Sequence, residues 1–302
     1  MTRPPSPAVS PALAFGVAAL GIGLFSVMDA FMKSLVLAIG VYNGLFWRTA
    51  ISTGLGALLW RRGGAGWPDA RTLRLHLARG GVTAAMALLF FWGLARLPMA
   101  QAITLSYIAP LLALLLGAVL LGERVGARVV LGSVAALGGV LVVLVGDRVG
   151  TGGARIDGAA AILASALLYA VNLVLARMQS QAAGPGEIAF FQSGIVTLIL
   201  ATAAPWLAVL PGADLWPRII AAACLATGSL ALLAWAYAHG DTGFLATTEY
   251  TSFVYAAVLG WLVFGERVTP WTLGGAAIIV AACLFAARKR DIAATSALQA
   301  AP

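Results

Sequence analysis

The second half of this chain repeats the first at a constant offset of 143 residues. Gly122-Glu123-Arg124-Val125 returns as Gly265-Glu266-Arg267-Val268. Without a gap, Trp92, Ala95, Thr104, Tyr107, Ala113, Leu116, Gly117 and Gly132 meet identical residues at Trp235, Ala238, Thr247, Tyr250, Ala256, Leu259, Gly260 and Gly275. The same offset sets Asp29 against Asn172. A repeat of this length constrains the fold strongly, because both halves must fold alike and pack on each other. Both are apolar almost throughout. Paired apolar halves are the mark of a membrane transporter built about a pseudo-twofold axis.

Of the 302 residues, 61% are hydrophobic and 10% charged. A soluble domain is nearer about 45–50% apolar and about 25% charged. The chain therefore lies in a bilayer. Its net charge of +8 does not point to nucleic acid, because the arginines flank apolar spans and form no basic stripe with interleaved aromatics. Cys224 and Cys283 sit in apolar runs without a CxxC pattern, and His76 and His239 are far apart. No metal and no other cofactor is expected from them. Residues 1–11 are Pro-rich and lack the basic region, apolar core and cleavage site of a removable signal, so they read as a disordered tail.

A membrane helix needs roughly 20 apolar residues. Ten runs qualify: 12–33, 41–60, 77–95, 98–121, 127–146, 157–178, 187–209, 218–238, 243–264 and 270–287. The boundary from Ser34 to Gly40 carries no charge, so the first two runs alternatively read as one long helix. The repeat favours five plus five. The expected fold is all-α and integral to the membrane, with ten transmembrane helices in two repeats. An odd number of crossings starts the second repeat on the opposite side, so the repeats must be inverted. The expected organisation is a tail over 1–11, a five-helix repeat over 12–146, a linker over 147–156, a second repeat over 157–288 and a cytoplasmic tail over 289–302. With the N-terminus inside, twelve Lys and Arg residues, Arg79 among them, fall on inner segments and six on outer ends. That bias puts both termini in the cytoplasm.

Ionisable residues within spans cost about 2.5–3.5 kcal/mol each at the helix centre and call for a reason. Asp29 and Lys33, at i and i+4, read either as a mutual pair reaching water or as coupling groups. Arg48 reads as a strut to backbone carbonyls or as a substrate ligand. Glu249 lies in the polar run Thr247-Thr248-Glu249-Tyr250-Thr251-Ser252, and its repeat mate is Ser106. In the fourth span Gln101, Thr104 and Tyr107 precede Pro110, which removes a helix bond to Ser106 and kinks the span. The kink reads either as packing or as exposure of backbone to a cavity. Tyr107 and Tyr250 are the pair expected to share a symmetric surface, with Trp92 and Trp235 as further lining. Glu123 and Glu266 read as locks at span ends, and Tyr169 and Asn172 as weaker cavity candidates.

Ten spans, two repeats of five and a Gly-Glu-Arg turn after the fourth span of each repeat resemble the EamA-type exporters of the drug/metabolite transporter superfamily. The segments that carry the likeness are Ile108-Ala109-Pro110-Leu111, Leu121-Gly122-Glu123-Arg124 and Phe264-Gly265-Glu266-Arg267. The resemblance covers about 12–288 and is nearest the aromatic and neutral amino-acid branch. It implies a monomeric carrier of small metabolites in a bacterial inner membrane, often of amino acids. It also implies a central cavity lined by the third, fourth, eighth and ninth spans, near Gln101, Tyr107, Glu249 and Tyr250. A multidrug or lipophilic-cation exporter is the main rival. An integral-membrane enzyme is a third class, but no HExxH, paired-Asp or Ser–His motif is present. A channel is a fourth.

Overall fold

The computed structural model describes residues 10–64, 66–120, 127–151, 156–239, 245 and 247–299. The helices are α1 (Pro11–Arg62), α2 (Ala70–Leu94), α3 (Met99–Ser106), α4 (Ala109–Leu120), α5 (Ala127–Thr151), α6 (Ile156–Ser180), α7 (Pro185–Ala201), α8 (Ala204–Leu207), α9 (Trp216–His239), α10 (Thr251–Phe264) and α11 (Pro270–Gln299). A 3-10 turn, Thr247–Tyr250, precedes α10. Among the described residues there is no strand.

A straight helix of 52 residues would be roughly 78 Å long, far more than the roughly 30 Å of a hydrocarbon core. α1 is two helices joined at Gly40, whose φ of 78° is open to glycine and strained for other residues. This is the uncharged boundary of the sequence, and it keeps the count at ten spans. The fourth span is broken as its Pro110 demands. α3 ends at Ser106, Tyr107 and Ile108 form the turn, and Pro110 lies in the first turn of α4, where its missing N–H costs nothing. The ninth span breaks at the matching place, between Tyr250 and Thr251. The seventh span is shorter than its apolar run, because α7 stops at Ala201 and a separate turn, α8, follows.

The repeat is visible in close approaches between glycines and their neighbours. A Cβ on Gly132 would stand 3.0 Å from the Ala282 carbonyl, and one on Gly275 would stand 2.8 Å from the Gly139 carbonyl. The offset turns Gly132 into Gly275 and Gly139 into Ala282, so each contact is the image of the other. As α5 advances from 132 to 139, its neighbour on α11 retreats from 282 to 275. The two helices are antiparallel, and a twofold axis relating antiparallel helices runs perpendicular to them. That axis lies in the membrane plane, which makes the two five-helix repeats inverted. The same symmetry recurs elsewhere in the packing. The first arm of α1 packs on α9 and α2 packs on α6, while the second arm of α1 packs on α7.

The outer surface is apolar. Val130, Leu131, Val134, Leu137 and Leu141 on α5, and Val254, Val258, Trp261 and Leu262 on α10, are exposed. In water such a surface would drive aggregation; in a bilayer it meets lipid. The Gly122–Val125 turn, with Glu123, and the Gly240–Asp241 boundary lie outside the described residues.

Candidate functional site

The two breaks face each other. Tyr107 and Tyr250, equivalent residues of the two repeats, meet edge to face with ring centroids 5.4 Å apart. An atom pair related by a twofold can touch only near the axis, so the axis passes between these rings. Ser252 Oγ donates to the Glu249 carbonyl at 2.6 Å. Its hydrogen is thereby committed, so the Tyr107 hydroxyl is the donor in the 2.7 Å contact with Ser252 Oγ. The carbonyls left over by the 3-10 turn accept these side-chain bonds, which is how an interrupted helix stays satisfied away from water.

Glu249 sits in the turn. It lies within electrostatic range of the phenolic groups of Tyr107, Tyr169, Tyr237 and Tyr250. Tyr169 also lies within range of Arg79. The Glu249 carboxylate therefore has tyrosines on α6, α9 and the two broken spans around it, and the Arg79 guanidinium is near the one on α6. Arg79 Nε donates to Asn172 Oδ1 at 3.1 Å, and Arg79 Nη1 donates to Gln179 Oε1. Thr83 also donates to Asn172 Oδ1, at 3.2 Å, and receives Gln192 Nε2 at 2.7 Å.

A second opposite-charge couple is Asp29 with Arg48. The two groups lie within electrostatic range of each other. Arg48 stands over the Phe91 ring at 5.7 Å, and its Nε has no hydrogen-bond partner among the described residues. The expected Asp29–Lys33 pair does not form. α1 folds back at Gly40, which brings Arg48 of its second arm level with Asp29 of its first. Lys33 instead reaches the other repeat. Its Nζ donates to Glu266 Oε1 at 2.5 Å and to the Leu97 carbonyl at 2.6 Å. Arg48 thus lies within electrostatic range of a carboxylate, and no hydrogen bond from it to a backbone carbonyl is found among the described residues.

Glu266 is held by the turn that the repeated motif encodes. Gly265 adopts φ 66°, its N–H bonds the Trp261 carbonyl at 3.0 Å, and the Glu266 N–H bonds the Gly260 carbonyl at 3.0 Å. This is a left-handed glycine cap, in which the C′ N–H bonds the C3 carbonyl. It folds the Glu266 side chain over Gly260, where a Cβ would stand 2.7 Å from Oε2. The carboxylate then accepts the Met99 N–H at 2.7 Å, the first residue of α3. Glu266 thus ties the end of the ninth span to the start of the fourth and to Lys33, as a lock.

At the opposite end of the bundle lies a network that the sequence reading missed. His76 is fully buried. Its Nε2 lies 3.0 Å from Glu187 Oε1, its Nδ1 lies 2.5 Å from Gln179 Nε2, and its ring stacks on Phe191 at 4.6 Å. Arg79 belongs to this network and not to an inner loop. The legible signal was the helix start: Asp69 caps α2 by accepting the Thr72 N–H at 2.7 Å, which begins the span at Ala70 and carries Arg79 into it. The exposed Asp69 carboxyl is held below its ordinary range by the bonds from Thr72.

The other expected residues are distributed more widely. Gln101 and Thr104 are buried, and the Thr104 hydroxyl is spent on the Ala100 carbonyl at 2.7 Å. Trp92 lies under Arg96, whose guanidinium is 3.4 Å from the ring centroid and which also pairs with Asp157 at 3.1 Å. A cavity of about 650 Å³ opens beside them, lined by Val36, Gly40, Val41, Trp92, Arg96 and Asp157 among others. It is a vestibule at the end of the spans, separate from the Glu249 cluster. Trp235 faces outward and stacks on His239 at 4.6 Å, so the structure does not bring it to the cluster. Thr247 opens the 3-10 turn that carries Glu249.

The EamA-like transporter family model matches residues 12–145 and again 157–288. The chain belongs to this family. EamA relatives include the pseudopaline exporter CntI of Pseudomonas aeruginosa, 28% identical over 277 residues, covering 91% of this chain and 95% of that protein. The riboflavin transporter of Rhizobium johnstonii is 28% identical over 292 residues, covering 94% and 93%. A chain solved by crystallography shares the fold at TM-score 0.61 and 20% identity, over 93% of this chain and 99% of that one. Like these relatives, the protein is a membrane transporter of small metabolites and not an enzyme. The relatives named are transporters of pseudopaline and riboflavin, so they show the family and not one branch of it.

Proposed function

We propose that this EamA transporter exports zwitterionic amino acids, neutral or aromatic, or metabolites derived from them, by alternating access between its inverted repeats. The observation that carries the reading is the placing of Tyr169 within range of both Glu249 and Arg79. A zwitterion needs an anion for its ammonium and a cation for its carboxylate, a few ångströms apart. Glu249 would meet the ammonium and Arg79 the carboxylate, with Tyr169 the residue common to both neighbourhoods, and the tyrosines around Glu249 offer hydroxyls and aromatic faces to the rest of the molecule. Gln101, Thr104 and Thr247 belong to the same broken spans. Asp29, Lys33 and Pro110 act in gating, through the Arg48 couple, the Glu266 lock and the span break respectively.

A lipophilic cation would use Glu249 and the rings, but Arg79 and Arg48 would repel it. The relatives move different small molecules, so the substrate class rests on this chain's own side chains. The Lys and Arg distribution supports cytoplasmic termini, and the bacterial relatives support an inner-membrane location for a monomeric carrier. Purified protein in liposomes loaded with unlabelled phenylalanine is expected to take up labelled phenylalanine by saturable counterflow. Accumulation of lipophilic dye cations with no counterflow of any common amino acid would replace this reading with drug export.

A further inference from the structure

We propose that His76 binds the proton that couples to transport and that Gln179 transmits its state to Arg79. The argument is one of hydrogen inventory. A guanidinium only donates, so the contact from Arg79 Nη1 fixes the Gln179 oxygen on the Arg79 side. The Gln179 amide nitrogen must then face His76 Nδ1, 2.5 Å away. An amide nitrogen has only hydrogens to offer, so Nδ1 is the acceptor and carries none. The ring hydrogen is on Nε2, donated to Glu187 at 3.0 Å. These contacts fit the Nε2–H tautomer of the ring.

A proton added at Nδ1 would face the Gln179 N–H, donor against donor. Turning the Gln179 amide relieves that clash, because its oxygen then accepts from Nδ1–H. The turned amide presents its NH₂ to Arg79, and Arg79 loses an acceptor while keeping Asn172. The converse also holds. A substrate carboxylate that takes over the Arg79 Nη1 hydrogen bond frees Gln179 to turn, and His76 gains affinity for a proton. By linkage the two effects are equal. Proton and substrate therefore bind cooperatively, which is the coupling that a shared passage of the two requires.

The charged groups at this point are few. Glu187 faces the ring from α7, and Arg79 faces it through Gln179 of α6. α1 contributes Trp60, stacked on Phe190 and edge-on to Phe191, while Arg61 and Arg62 at its end are exposed. Arg177 on α6 is exposed as well. The protonated ring pairs with Glu187, so uptake of the proton also tightens the link between α2 of one repeat and α7 of the other.

The coupling to substrate rests on the reading of Arg79 as the carboxylate ligand, but the relay is tested without a substrate. The chain has two histidines, so full-length His239→Asn labelled with ¹⁵N-histidine in nanodiscs reports one ring. The parent spectrum at alkaline pH is expected to show the Nε2–H tautomer. Gln179→Met removes the opposing donor without changing charge, and the ring should then take up its second proton at a pH higher by roughly half a unit to one unit. An Nδ1–H tautomer in the parent overturns the relay. So does a Gln179→Met ring that protonates at the same or a lower pH. In a second arm, phenylalanine added to weakly buffered protein should draw about one proton from a pH dye in the parent and none in His76→Gln. If the spectra are as expected and no amino acid binds, the proton site stands and the substrate reading fails.

Discussion

Lys33 and Glu266 are 233 residues apart in sequence and 2.5 Å apart in space, joining the two repeats at one end of the bundle. At the other end His76 and Glu187 join the same repeats at 3.0 Å. Between these links lie the broken spans with Tyr107, Tyr250 and Glu249. A polar contact between the repeats thus lies at each end of the bundle, and under the proposed alternating access each would open in turn.

Removing one partner of the Lys33 pair leaves a buried charge alone, which costs about 3–5 kcal/mol. Lys33→Met and Glu266→Gln should each lower the thermal midpoint in detergent. The double variant Lys33→Met/Glu266→Met should recover much of the loss, because it leaves no orphaned charge. A double variant less stable than either single one would show that the two side chains do not stabilise each other.

Gly260→Ala tests how the repeated motif works. The new Cβ would stand 2.7 Å from Glu266 Oε2 and must push the carboxylate off Met99 and Lys33. A loss of about 1–3 kcal/mol is expected. Gly274→Ala, which meets open space, should be neutral or slightly stabilising. Equal thermal midpoints for the two variants would mean that Glu266 does not depend on its glycine.

In the proposed function Glu249 meets the substrate ammonium. Glu249→Gln keeps the shape and removes the charge. A charge-assisted bond is worth about 1.5–3 kcal/mol, so half-saturation in amino-acid counterflow should rise roughly tenfold to a hundredfold. Unchanged half-saturation would exclude Glu249 from the site.

Arg79→Lys separates a charge from a fork. Arg79 uses Nε and Nη1 on two different acceptors, Asn172 and Gln179, and a single ammonium cannot reproduce that geometry. The variant is expected to fold, retain the parent's melting behaviour within about 1 kcal/mol and lose most counterflow. Counterflow at the parental rate would reduce Arg79 to a point charge.

Much of the architecture is written in the repeat. The offset of 143 residues foretold the number of spans, their inversion and the meeting of Tyr107 with Tyr250, because a symmetry axis leaves its mark on both copies. Pro110 foretold the break at Ser106. The partners of the ionic groups were not legible. Asp29 and Lys33 have ideal helical spacing for one another, yet the reversal at Gly40 and the packing of the second repeat give each a different partner. Arg79 looked like a charge at a membrane edge because the polar start of its helix, Ala70 to His76, does not resemble a span. Its acceptors, Asn172 and Gln179, are on a helix roughly a hundred residues away, and only tertiary structure brings them together.

Alternating access requires α3 of one repeat and α10 of the other to part at the Glu266 end. Ala100 on α3 and Ala257 on α10 line one crevice there with Gly260 and Glu266. The decisive measurement is phenylalanine counterflow by the Ala100→Cys/Ala257→Cys variant, with Cys224→Ser and Cys283→Ala, before and after oxidation to the disulfide. Counterflow is expected to fall to the level of protein-free liposomes on oxidation and to return on reduction. A fully cross-linked protein that exchanges phenylalanine as fast as the reduced one would contradict the account.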